Sequence, residues 1–196
     1  MKIYFFDFDE TITTKDTFIE FLKFSKGDRY FYLTSIVIVF YFFLFKLNVI
    51  SAENSKRYIL KFYFKGYNKE KLDQLGSDFI KYISSNGIIK NDFLTIINLA
   101  KSNNHTVVVV SASFDIWVEK FCFIHSLTCI CTNLSYDRNN IFNGLFSTPN
   151  CNGEEKAKRI NDSFTLSDFS EIIVYGDSKG DIEMMNLATS KNWVKG

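Results

Sequence analysis

Net charge is nearly absent from this sequence. Its 23 basic and 22 acidic residues leave +1 over 196 residues, so no overall field draws in nucleic acid or an acidic substrate. Cysteine and histidine are sparse as well. Cys122, Cys129, Cys131 and Cys151 form no C-x-x-C pair, and His105 and His125 are not spaced to complete a zinc site. Reduced, buried thiols in a cytosolic protein are the expectation, with Cys129 and Cys131 sharing one face of a strand. No internal repeat or low-complexity linker is present. The opening MKIYFFDFDE has a very short apolar run before its acids, which is not a signal peptide. Nor is the chain disordered in composition: 46% hydrophobic and 23% charged residues are globular values. The length suits one buried domain, or one domain with a smaller insertion.

What is there alternates. Residues 2–6, KIYFF, are apolar after the lysine and end at Asp7, as a strand buried on both faces reads. Thr106–Val110, β-branched throughout, ends at Ser111, and Ile172–Tyr175 ends at Gly176-Asp177. Leu127–Cys131 is a further strand candidate, and Phe142–Ser147 reads as a hairpin around Asn143-Gly144. Helical patterns cover Asn91–Ser102, Phe114–Ile124, Glu154–Phe164 and Asp181–Ala188. Strands alternating with helices predict an α/β fold, a parallel sheet flanked by helices. From Asp16 to Ser85 the alternation stops. Thr17–Phe24, Tyr30–Phe45, Ala52–Phe64 and Lys69–Ile83 are helical patterns punctuated by turns, a helical insertion after the first strand.

Tyr30–Phe45 carries no charge between Arg29 and Lys46. As a helix rising ~1.5 Å per residue it reaches about 24 Å, short of a ~30 Å hydrocarbon core. A single crossing would also place Asp7 and Ser111 on opposite sides of a membrane. Two readings stand: a buried central helix of the insertion, or an interfacial or re-entrant membrane contact. Apolar residues fall all round it, so something must cover it.

Four short elements sit where this topology collects functional groups, at the carboxyl ends of parallel strands. Asp7-Phe8-Asp9-Glu10-Thr11 puts two carboxylates two residues apart. Their mutual repulsion raises one pKa unless a cation lies between them or one holds a proton. Phe8 reads as a packing residue. Ser111-Ala112-Ser113, as the opening of a helix, offers a hydroxyl and free N–H donors. Lys156 follows Asn152-Gly153 at a helix start, with Lys158 and Arg159 read as solvated neighbours. Gly176-Asp177-Ser178-Lys179-Gly180-Asp181 places two acids four apart around a turn, the second able to favour its helix N-terminus.

In order and spacing, Asp7-x-Asp9-x-Thr11, Ser111, Lys156 and Gly176-Asp177-x-x-x-Asp181 resemble the haloacid dehalogenase superfamily of phosphohydrolases. The Ser-Ala-Ser run, Cys-Asn-Gly-x-x-Lys at 151–156 and Tyr-Gly-Asp-Ser look like the branch containing phosphoserine phosphatase. The apolar helix and the Lys56-Arg57 region further resemble phosphatidylglycerophosphatase C. The resemblance implies a Rossmann-like catalytic core over 1–14 and 88–196, with a helical cap over 15–87. It implies a Mg2+-dependent phosphatase working through an aspartyl-phosphate. Asp7 is then the nucleophile, ionised at neutral pH, and Asp9 the general acid and base. Ser111, Lys156 and the amides near Phe8 and Ala112 bind the phosphoryl oxygens. The metal falls to Asp7, the Asp9 carbonyl and Asp177. Asp181 orients Lys156 or metal-bound water, and Thr11 ties down the loop. Where the family often has Gly, this chain has Glu10.

Specificity is expected in the cap. Asp16 matches an acid that contacts the substrate amine in phosphoserine phosphatases, and it equally fits a helix N-cap. Arg57 or Lys56 is the matching cation, although a solvated face fits both. Ser-Ala-Ser in place of Ser-Gly-Gly counts against phosphoserine. The leading reading is a phosphatase for an amphiphilic or lipid phosphomonoester, cytoplasmic or peripheral at the inner membrane face through residues 30–45. A soluble small-metabolite phosphatase, or a phosphotransferase on the same fold, is the alternative. No nucleic-acid partner is expected.

Overall fold

A computed structural model describes residues 1–194. The first strand, β1 (Lys2–Phe6), sits at the centre of a five-stranded, wholly parallel sheet. Its partners are β2 (Thr106–Phe114), β3 (Thr128–Thr132), β6 (Glu171–Gly176) and β7 (Ser190–Trp193), in the order β3-β2-β1-β6-β7. Alternation along β1 explains its apolar run. Ile3 and Phe5 face one layer with Val108, Val110 and Val174, while Phe6 faces the other with Val107 and Val109. Helices α5 (Asn91–Ser102) and α6 (Asp115–His125) supply Phe93, Ile97, Trp117 and Phe121 to the second layer. On the opposite face, α7 (Glu154–Ser163) and α8 (Ile182–Asn186) contribute Ile160, Met184 and Met185.

Between β1 and α5 the chain forms α1 (Thr17–Lys26), α2 (Asp28–Lys46), α3 (Ala52–Phe64) and α4 (Lys69–Ser85). Asp16, Ser51 and Asn68 accept N–H bonds from Ile19, Asn54 and Lys71 and so cap three of these helices. Both ends of the segment pass through one short antiparallel neck. Thr13 bridges Ile89, Thr14 N donates to the Ile88 carbonyl at 2.8 Å, and Lys90 N donates to the Ile12 carbonyl at 2.9 Å. Where α4 crosses α6, Gly76 lies against the Ile116 carbonyl, with no room for a Cβ.

Three expectations change. Strand β2 runs on through Ser111-Ala112-Ser113, and α6 begins only at Asp115. Ser111 therefore lies in extended backbone rather than at a helix N-terminus. The hairpin is real but displaced: β4 (Leu134–Tyr136) pairs with β5 (Phe142–Phe146), and the turn forms over 137–141. Asn143-Gly144 lies inside the strand. Gly144 has φ +82°, and a Cβ there would sit 2.8 Å from the Lys61 side chain of α3, so the glycine answers close approach rather than a turn. Finally, α2 is not a buried central helix. Of its residues only Ile38 is buried, and Tyr32, Leu33, Ile36, Val39, Phe40 and Phe43 are exposed. At 19 residues it reaches about 28 Å. Because β1 precedes it and β2 and β6 follow it in one sheet, α2 does not thread a bilayer once.

Candidate active site

The carboxyl ends of β1, β2 and β6 meet at one edge, as their parallel register requires. Asp7 leaves β1 with its N–H held by the Tyr175 carbonyl at 2.9 Å. The chain then turns sharply over Phe8–Ile12, with Glu10 in the left-handed region at φ +55°. That is the position where a glycine would adopt the same backbone freely. Phe8 points away from the site and packs on Phe121, centroids 5.1 Å apart.

Lys156, brought in by the first turn of α7, is almost completely buried. Its ammonium donates to Asp7 Oδ1 and, at 2.6 Å, to Asp181 Oδ1. Breaking such a buried pair by removing one member leaves an uncompensated charge. Although burial alone would lower it, the charges of Asp7 and Asp181 hold the Lys156 ammonium above its ordinary range. Asp181 is fully used by the protein. Its Oδ2 accepts from Asp177 N at 3.2 Å and from the Ser178 N–H and hydroxyl at 3.0 and 3.2 Å. Asp177 accepts from the Thr11 hydroxyl at 3.3 Å through Oδ1. Its other oxygen has no donor among the described residues.

Carboxylate oxygens of Asp7, Asp177 and Asp181 all lie within 4.8 Å of one another. Burial pushes the Asp7 carboxyl up to about 8, against the pull of Lys156 and with help from the charges of Asp181 and Asp9. Burial and the neighbouring Asp181 and Glu10 raise Asp177 as well. In the metal-free site, burial thus outweighs the pull of Lys156 on Asp7. Hard oxygen donors carrying excess negative charge fit a divalent cation such as Mg2+. With Asp181 committed to Lys156 and backbone amides, Asp7 and Asp177 are the side chains that could hold it.

Asp9 turns to a different set of partners. Oδ1 accepts from Thr17 N at 2.7 Å and from the Thr17 hydroxyl, and Oδ2 accepts from the Ser113 hydroxyl. Trp117 Nε1 donates to Thr17 Oγ1 at 3.0 Å. Thr17, Ser113 and Trp117 are buried, and sequence reasoning assigned none of them a role. Ser113 was visible only as the last residue of Ser-Ala-Ser.

Ser111 is buried on β2, one strand over from Asp7, and its Oγ accepts from Ser113 N at 3.0 Å. The Ala112 carbonyl accepts from Thr132 Oγ1 and, at 3.0 Å, from Lys56 Nζ. Of the cation pair on α3, Lys56 is thus the one that reaches the cluster. Burial lowers its pKa, and the charges of Asp9 and Asp16 oppose the shift. Arg57 turns instead to Asn54 Oδ1 at 3.1 Å. Asp16 caps α1, accepting from Ile19 N at 3.1 Å. Arg159, expected in solvent, ties the Cys131 and Pro149 carbonyls to α7.

Comparison with known proteins comes to the same place. The family model for haloacid dehalogenase-like hydrolases matches residues 4–186. Protein CicA of Caulobacter vibrioides is 27% identical over 194 residues, covering 96% of this chain and 83% of the relative. A protein of unknown function from Bordetella pertussis Tohama I superposes with a TM-score of 0.83 at 16% identity, over 97% of this chain and 88% of that one. A substrate-bound phosphoserine phosphatase gives 0.66 at 18% identity, over 97% and 84%.

Proposed function

Because the chain belongs to the haloacid dehalogenase-like hydrolase family, we propose that it is a Mg2+-dependent phosphomonoester hydrolase acting on a lipid or amphiphilic phosphate. The observation that carries the chemistry is the buried Lys156 between Asp7 and Asp181, with Asp177 beside them. Asp7 attacks phosphorus and becomes an aspartyl-phosphate. Asp9 gives a proton to the departing alcohol and takes one from the water that hydrolyses the intermediate. Lys156 and the Ser111 hydroxyl hold phosphoryl oxygens as charge builds on them. Asp181 keeps Lys156 aimed, and Thr11 keeps Asp177 in place. When bound by Asp7, Asp177 and the Asp9 carbonyl, Mg2+ supplies the positive charge that keeps Asp7 ionised.

Residues 15–87 act as a cap over the core of 1–14 and 88–196. Asp7 is already covered in the present arrangement, so the cap must swing on its neck to admit an ester. The α2 surface supports an amphiphilic substrate. Leu33 and Ile36 are 73% and 75% exposed, within an uncharged stripe from Tyr32 to Phe45. Two of its hydroxyls are satisfied within the helix: Thr34 Oγ1 donates to the Tyr30 carbonyl and Ser35 Oγ to the Tyr32 carbonyl. Residues 15–87 carry twelve basic and seven acidic side chains, so +5 sits on the cap and −4 on the rest of the chain. An apolar stripe on a cationic element fits the surface of an anionic bilayer, and this is the peripheral contact we assign to residues 30–45.

The test is an ester array containing lysophosphatidic acid, phosphatidylglycerophosphate, phosphoserine and sugar phosphates, run with Mg2+ and with EDTA. Preferred turnover of the lipid esters, lost with EDTA and in Asp7→Asn, is expected. Full turnover in Asp7→Asn sinks the covalent mechanism. Vesicles containing phosphatidylglycerol should sediment the protein, and Ile36→Glu should release it. A concentration-dependent dimer without vesicle binding would instead assign the stripe to a second copy. One observation favours a second reading. Lys56 and Asp16, opposite in charge, both lie within electrostatic reach of Asp9, as a small zwitterionic phosphate would require. Preference for phosphoserine in the same array would decide for it.

A further inference from the structure

We infer that Ser113 and Thr17 are positioning residues for Asp9, with Trp117 fixing the direction of the Thr17 proton. The inference rests on the proton-transfer role proposed above for Asp9. The two arms come from different parts of the fold. Thr17 is the first residue of α1, in the helical segment, and Ser113 lies near the end of β2, in the sheet.

Donor and acceptor counting fixes the arrangement. An indole N–H can only donate, so the Trp117 bond at 3.0 Å takes an acceptor site of Thr17 Oγ1. The single hydroxyl proton of Thr17 is then free to point at Asp9 Oδ1, which also accepts the Thr17 N–H at 2.7 Å. Oδ1 is thereby held by two donors, of which the backbone N–H cannot reverse; the Thr17 hydroxyl keeps one lone pair, which faces Ser113 Oγ at 3.4 Å. Among the described residues, Oδ2 accepts from Ser113 alone, through its hydroxyl. The Ser113 hydroxyl takes one lone pair of Oδ2 and leaves the other for the transferred proton, while Thr17 prevents the carboxyl group from rotating. Oδ2 is the oxygen left to exchange a proton with the substrate.

Packing makes the clamp stiff. The Trp117 ring stacks on Phe21 of α1, centroids 4.6 Å apart, and meets Phe114 at 5.5 Å. Phe18 of α1 contacts Phe114 at 5.8 Å. The N-terminus of α1 is thus seated on the end of β2 by aromatic contacts, with Thr17, Ser113 and Trp117 all closed to solvent. A general acid must be aimed within hydrogen-bond reach of the leaving oxygen, and an error of about 1 Å can cost on the order of 100-fold.

The experiment compares kcat/KM for n-hexyl phosphate and p-nitrophenyl phosphate. This constant covers the steps through departure of the leaving group. Hexanolate needs a proton to leave; p-nitrophenolate does not. Asp9→Asn should lower kcat/KM for hexyl phosphate at least about 100-fold more than for the aryl ester, in line with the range for general acid catalysis. Ser113→Ala and Thr17→Val should each show the same selective loss in kcat/KM, about tenfold or more. Trp117→Phe should show a smaller loss of the same kind, about threefold, since it frees only the direction of one proton. A purely structural role would lower both substrates together. If Ser113→Ala and Thr17→Val do so while Asp9→Asn discriminates, the clamp is overturned. If Asp9→Asn itself fails to discriminate, the proton-transfer role falls and takes the clamp with it. Should Thr17→Val fail to fold, Ser113→Ala, a loss of one oxygen, decides alone.

Discussion

Magnesium binding to this protein should release a proton from Asp7, and the size of that release follows from the site. Burial raises the Asp7 carboxyl to about 8 in the metal-free protein. At pH 7 roughly nine in ten molecules then hold a proton there, so each cation should displace about 0.9 proton. By pH 9 the release should fall to about 0.1. Apparent affinity should rise about tenfold per pH unit from 6 to 7 and level off above 8. The linkage has a stability counterpart. A carboxyl raised above its unfolded value of 3.8 favours the metal-free fold most below that value, and the benefit is lost as pH climbs toward 8. A shift of about four pH units is worth at most about 6 kcal/mol. Calorimetric titration in buffers of different ionisation enthalpy gives the proton count directly. A pH-independent affinity between 6 and 8 with no proton release at pH 7 would refute the account of Asp7.

Three further outcomes are expected. Lys156→Met should abolish turnover and, with EDTA present near neutral pH, destabilise the fold by about 3 kcal/mol in urea denaturation, because the buried Asp181 side chain loses its cation. Gly76→Ala would place a Cβ 1.7 Å from the Ile116 carbonyl oxygen and force α4 off α6, so a loss of 3 kcal/mol or more is expected on the scale of ~1–3 for ordinary overpacking; a change under ~1 kcal/mol would contradict the packing described. Burial pushes Asp115 up to about 7, against its bonds from Leu134 N and Ile116 N. Its ionisation therefore costs stability as pH rises from about 4 to 7. Asp115→Asn should be stabilising by about 2 kcal/mol at pH 8, half the full shift because the group is partly exposed, and nearly neutral at pH 4.

Much of the candidate site was legible in the sequence because three of its four motifs sit where an apolar run stops. Asp7, Ser111 and Asp177 follow apolar runs whose two-sided burial marks a covered parallel sheet, and the strands do align there. Lys156 resembled a surface lysine by type, and only its two acid partners explain its burial. Ser111 was misread as a helix opening because the β-branched run ends at Val110, whereas the backbone stays extended to Phe114. Asn143-Gly144 carried a turn signal that a passing lysine stem explains equally well. Strand β7 escaped notice, since SKNW lacks both apolar alternation and β-branched residues. The partners of Asp9 were invisible for another reason. Thr17, Ser113 and Trp117 converge only once α1 lies on the sheet, and no local pattern encodes that contact.

The neck at Thr13–Thr14 and Ile88–Lys90 brings the two ends of a seventy-residue excursion within one backbone hydrogen bond of each other. Such a junction is a natural splice point: joining its two sides leaves the sheet, Lys156 and Asp177 uninterrupted. Evolution, or an engineer, can therefore exchange everything threaded through it as one cassette. What such an exchange gives up is the Thr17 arm of the Asp9 clamp, so any replacement must open with a donor in that place or surrender proton transfer along with the old selectivity.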